Sequence, residues 1–186
     1  MEKQKIKQII CDLIDENSEK IISLAKEIEE EPELGYKEVK TSKKITDFFE
    51  ELGLNYRSGL ALTGVKAKLK NESKGPNVAI LSELDGVICF DSPKADKETG
   101  ATHTCGHHLQ MAAMLGAALG LKKANIEDEL CGNVTFMAVP SEEYIEIAYR
   151  SKLKEEGKVH FLAGKQELIY NGEFDDVDIA MMFHSL

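Results

Sequence analysis

A chain of 186 residues has room for one domain with a sizeable core and no need of disulfide staples. Its 33 acidic residues outnumber 23 basic ones, and the net charge of −10 argues against nucleic acid or an anionic membrane as partner. The opening stretch is charged rather than continuously apolar, no later run could span a bilayer, and the four cysteines are scattered, so a reducing cytoplasm is the expected location.

In chain order, Ile6, Ile9, Ile10, Leu13 and Ile14 recur at helical spacing, and Ile21, Ile22, Ala25 and Ile28 continue the stripe to Pro32, which predicts an amphipathic helix in one or two pieces. Ile45, Phe48, Phe49 and Leu52 mark a second helix, closed by Gly53. Val65, Ala67 and Leu69 alternate with lysines as in a half-buried strand, and NESKGP at 71–76 reads as a turn. Three nearly continuous apolar runs follow, VAIL at 78–81, VTFMAV at 134–139 and IAMMF at 179–183, each predicting a strand covered on both faces. An Ala- and Leu-rich helix is expected over 109–121, whereas 144–164 reads as a helix with a loop or as an active-site flap. Strands alternating with helices predict an α/β layered domain with a largely parallel or mixed central sheet, occupying 1–186 as a single unit.

Ligands bind open α/β sheets at the carboxyl ends of the strands. Asp85 follows the first apolar strand, Glu142 and Glu143 the second, and His184 the third. A fourth group, His103-Thr104-Cys105-Gly106-His107-His108, stands just before the 109–121 helix and should lie in a loop on the same edge. Singly, each has an ordinary explanation: a turn-closing Asp, surface glutamates, an incidental Cys and His. Together a thiolate, imidazoles and a carboxylate make a donor set for a divalent transition metal, which accepts mixed S, N and O ligands. Adjacent glutamates diverge in an extended segment, so one can hold the metal while the other takes a proton from water that the metal has acidified. Cys105 as a nucleophile is the rival reading, and it gives the glutamate pair no task.

These residues resemble the M20 peptidases and amidohydrolases, in the branch of aminoacylase-like enzymes, hippurate hydrolases and plant auxin-conjugate hydrolases. Glu31-Pro32-Glu33-Leu34-Gly35-Tyr36-Lys37-Glu38 with Thr41 is similar to the PELG-x-x-E-x-x-T motif. Glu83-Leu84-Asp85 resembles D-M-D, His103-Thr104-Cys105-Gly106-His107 the H-x-C-G-H box, and Pro140-Ser141-Glu142-Glu143 the P-A-E-E segment; 178–184 resembles the strand ending in a metal-binding His. The resemblance implies a three-layer zinc-peptidase-like domain, incomplete at its C-terminus. It implies Cys105, His107, Glu143 and His184 as metal ligands, Glu142 as general base and acid, Asp85 as the group that orients them, and Gly35 in a structural turn. The implied cofactor is manganese or zinc, commonly two ions; the implied substrate is a small N-acyl amino acid or peptide, and the full-length form a homodimer. His108 departs from the usual Asp or Asn after C-G-H, and Gln110 from a frequent His. Family members also continue past the position of His184 into a lid and dimerisation domain, so 1–186 is expected to be the N-terminal portion of a catalytic domain. The alternative is a non-catalytic remnant that keeps metal or partner binding through an exposed sheet edge.

Overall fold

The N-terminal isoleucine stripe folds as two helices, α1 (Lys3–Glu16) and α2 (Ser18–Glu30), separated at Asn17, whose amide donates to Leu13 O at 2.7 Å. The computed structural model describes residues 2–70 and 75–184, so the turn expected at 71–76 lies largely outside the described residues. Helix α3 (Val39–Glu51) buries Ile45, Phe48 and Phe49. It ends where Gly53 takes φ +66° and donates to Glu50 O, while Leu54 N donates to Phe49 O, a paired closure that satisfies the last carbonyls.

Strands β1 (Asn55–Leu60), β2 (Gly64–Lys68) and β3 (Asn77–Glu83) follow. A short antiparallel pair, β4 (Val87–Ile88) and β5 (Ala101–Thr102), precedes α4 (His107–Lys123). After β6 (Asn133–Val139) come α5 (Ile147–Glu155), α6 (Gly164–Tyr170) and β7 (Ile179–Met182). Of the two readings of 144–164, the chain adopts the helix with a loop. The sheet order is β1-β2-β6-β3-β7. The first two strands run antiparallel to their neighbours, whereas β6, β3 and β7 are parallel, so the sheet is mixed.

Alternation along β6 shows why three layers form. Phe136 and Ala138 join the core beneath α2, α3 and α4, while Met137 and Val139 face the core of Leu153, Val159 and Leu168 on the α5 and α6 side. Two expectations need correction. Lys66 points away from the larger core yet is not solvated: it is 5% exposed, and its Nζ donates to Glu173 O at 2.5 Å and meets Asp176 Oδ1 at 2.6 Å. Strand β7 is apolar but exposed along its whole length, because neither of the two packed cores on the sheet faces reaches it. No helix among the described residues is long and apolar enough to cross a membrane.

Candidate metal centre

The adjacent parallel strands β6, β3 and β7 end side by side, and each is followed within a few residues by Glu142 and Glu143, Asp85 and His184 respectively. The β4–β5 pair folds the chain back so that 103–106 enter α4 against the same rim. Gly106 caps α4 with φ +92°, a conformation open to glycine at little cost, and the bend places Cys105 outside the helix and His107 in its first turn. His107 and His108 are thus helical rather than part of the loop.

Asp85 is fully buried and organises the rim. Its Oδ1 accepts from Glu142 N at 3.0 Å and its Oδ2 from Glu143 N at 2.9 Å. The turn that presents both N–H groups to one carboxylate runs through Ser141, a buried non-glycine residue at φ +54°. The backbone carbonyl of Asp85 accepts from His107 Nδ1 at 2.7 Å, which fixes the tautomer and leaves Nε2 as the ligand-capable atom.

That Nε2 atom is buried and stands 3.0 Å from Glu83 Oε2, where it can pair with the carboxylate or serve as a metal donor. One donor atom each from Cys105, His107 and His184 lies within 4.8 Å of the others, with Cys105 Sγ 3.8 Å from His184 Nε2. Glu143, expected among the ligands, is not in that group, although its carboxylate acts on the Cys105 thiol. Glu142 Oε2 stands 3.8 Å from His107 Nε2. Burial and the neighbouring Glu143, Glu142 and Glu83 carboxylates push the Cys105 thiol up to about 12. Burial pulls the His107 imidazole down, but Asp85 and Glu83 outweigh it and hold it at about 10. Thus both groups keep their protons unless a cation displaces them.

Several participants escape sequence reasoning. Glu83 and Lys165 meet in an ion pair beside Glu142. Glu38 is buried, accepting from Thr63 Oγ1 at 2.6 Å and Ser141 N at 2.7 Å; burial and the Asp85 charge raise its carboxyl to about 7. Arg150 is fully buried, donating to Leu162 O at 2.9 Å, with Nη2 4.0 Å from Asp85 Oδ2. Gly35 occupies the expected turn, where an added Cβ would collide with Arg150 and with Ser141 Oγ at 2.7 Å. The advance signals were the motif positions of Glu38 and Glu83 and the turn expected at Gly35.

A layered α/β domain that brings imidazole, thiol and paired carboxylates to the ends of adjacent parallel strands is a zinc-peptidase-like domain. No protein-family model matches the chain. It is 29% identical over 168 residues to N-acetyl-L-cysteine deacetylase of Bacillus subtilis (strain 168), covering 89% of this chain and 36% of that protein. It is 34% identical over 126 residues to IAA-amino acid hydrolase ILR1-like 4 of Arabidopsis thaliana, covering 66% and 28%. Among solved structures, the Bacillus subtilis YXEP protein, a dinuclear metal binding peptidase from the M20 family, superposes with a TM-score of 0.70 at 28% identity, over 90% of this chain and 42% of that one. The chain is similar to M20 family hydrolases, and it spans about a third of the length of the curated relatives it matches.

Proposed function

We propose that this chain is the metal-binding part of a hydrolase that cleaves the amide bond of N-acyl amino acids or short peptides. Residues 1–186 form one domain, the N-terminal portion of its catalytic domain. The observation that carries this reading is the convergence of Cys105, His107 and His184 donor atoms within 4.8 Å, beside Glu142. The names of the relatives, a deacetylase and an amino acid conjugate hydrolase, support the substrate class.

Cys105, His107, Glu143 and His184 would hold the ion, manganese or zinc, with two ions in a complete site. When bound, a divalent ion supplies Lewis acidity toward the acyl oxygen and toward water. Burial and the Glu83 charge raise the Glu142 carboxyl above the ordinary glutamate range, which suits a group that takes a proton from water and returns it to the leaving amine. Asp85 would hold the turn that carries Glu142 and Glu143 by anchoring both of their N–H groups. Catalysis by a Cys105 thiolate would leave the glutamate pair without a task.

The exposed face of β7 favours a second reading, a chain that binds metal or a partner without turning substrate over. Metal content of the wild type, Cys105→Ser and His107→Ala tests the site: both variants should lose bound manganese or zinc, and undiminished content in both would remove it. Activity separates the two readings. In the longest natural form of this polypeptide, Glu142→Gln should keep its metal and lose about a hundred-fold or more in turnover of N-acetyl amino acids. No turnover in the wild type of that form would favour the second reading.

A further inference from the structure

Glu83 has no part in the donor set just described, yet it is a buried carboxylate held from two sides at the rim. It is the last residue of β3, 1% exposed. Gln110 pins it twice: Gln110 Oε1 accepts from Glu83 N at 3.1 Å, and Gln110 Nε2 donates to Glu83 Oε2 at 3.0 Å. Lys165, from α6, forms an ion pair with Glu83 Oε1 and stands 3.7 Å from Glu142 Oε1.

That division of oxygens is the informative feature. Both glutamates turn Oε1 to Lys165 and Oε2 to His107, with Glu83 Oε2 at 3.0 Å and Glu142 Oε2 at 3.8 Å from Nε2. Glu83 Oε2 and His107 Nε2 at 3.0 Å are close enough to pair while the ring is protonated, and close enough to share one ion. Donors that bind one ion at about 2.1 Å stand about 3.0 to 3.5 Å apart. One donor atom each from Glu83, His107 and Glu142 lies within 4.8 Å of the others.

We infer that Glu83 is a ligand of a divalent cation that it shares with His107, held in place by Gln110 and Lys165. The inference rests on the metal reading above and deepens it. One Nε2 atom serves one ion, so of the two ions proposed for a complete site, the one at His107 and Glu83 would have an oxygen- and nitrogen-rich position, and Cys105, Glu143 and His184 would be left to the other, a thiolate position. Oxygen donors suit manganese and thiolate suits zinc or cobalt, so the two positions differ in preference.

The test uses the chain itself, with manganese counted by the paramagnetic resonance of the free ion and cobalt followed by its thiolate charge-transfer absorption. Glu83→Gln should weaken manganese binding by about ten-fold or more and leave the thiolate–cobalt band in place; Cys105→Ser should abolish the band. Glu83→Asp keeps the charge but withdraws the oxygens by one methylene, and it should weaken manganese binding with unchanged circular dichroism. It decides the question if Glu83→Gln does not fold. Manganese affinity equal to wild type in a folded Glu83 variant would overturn this inference and leave the metal reading standing. A wild-type chain that takes up neither ion would overturn both.

Discussion

Asp85 is acceptor to three groups at once: the N–H groups of Glu142 and Glu143 through its carboxylate, and His107 Nδ1 through its carbonyl. In Asp85→Asn one of the two N–H groups would face an amide N–H instead of an oxygen. Leaving a buried donor unpaired costs about 1–3 kcal/mol, so the urea midpoint should fall accordingly, and metal affinity should drop about ten- to a hundred-fold as the rim loosens. An unchanged midpoint would show that Asp85 does not order this turn. Glu38 makes a prediction of opposite character. Its folded pKa of about 7 lies above the ordinary 4.5, so between those values the native state holds a proton that the unfolded state has released. The stability it contributes is complete below about 4.5 and is lost as pH rises through about 7. Glu38→Gln should flatten the fall in urea midpoint between pH 5 and pH 8 measured for the wild type, on the order of that linkage; an identical slope would assign the fall to other groups.

Helix α3 has no side-chain cap from Glu38 at its own N-cap position, and Glu33 does that work from outside. Its carboxylate accepts from Lys40 N at 3.1 Å, Thr41 N at 2.8 Å and Thr41 Oγ1 at 3.0 Å. Glu33→Ala should therefore cost about 0.5–2 kcal/mol, the range for loss of a helix cap, read from thermal or urea unfolding. Elements that bury apolar surface were legible in the sequence: α3 through its apolar spacing, α4 through its Ala- and Leu-rich composition, β3 and β6 through uninterrupted apolar runs. Strand β1 was not, because NYRSGL lies at the sheet margin and is held by pairing with β2 rather than by burial. Strand β7 was legible as a strand and misread in its cover, since apolar composition reports what a segment is suited to bury, not what lies against it. The rim residues Asp85, Cys105, His107, Glu142 and His184 announced themselves by chemistry at strand ends. Lys165 did not, because its meeting with Glu83 joins positions 82 residues apart through a short helix with no pattern to read.

At the scale of the molecule, the two faces of the sheet are unequally covered. Helices α2, α3 and α4 close one face, whereas α5 and α6 close only part of the other, and Ile179, Met181, Met182 and Phe183 are 41–60% exposed. An apolar outer strand of this kind invites association through its side chains and its unpaired edge. Light scattering of the chain should report self-association, and Met181→Lys should reduce it; a monodisperse monomer in both would show that the surface is tolerated. The same strand carries His184 on four registered pairs to β3 alone, Val78 with Ile179 through Leu81 with Met182. A strand so lightly attached opens by local unfolding far more often than the molecule unfolds, and each opening separates His184 from Cys105. A cation bound by both residues must therefore hold the strand shut, which makes occupancy legible in amide hydrogen exchange. With the ion at about a hundred times its dissociation constant, exchange across 179–182 should slow by about a hundred-fold, while amides in α3 keep their rates.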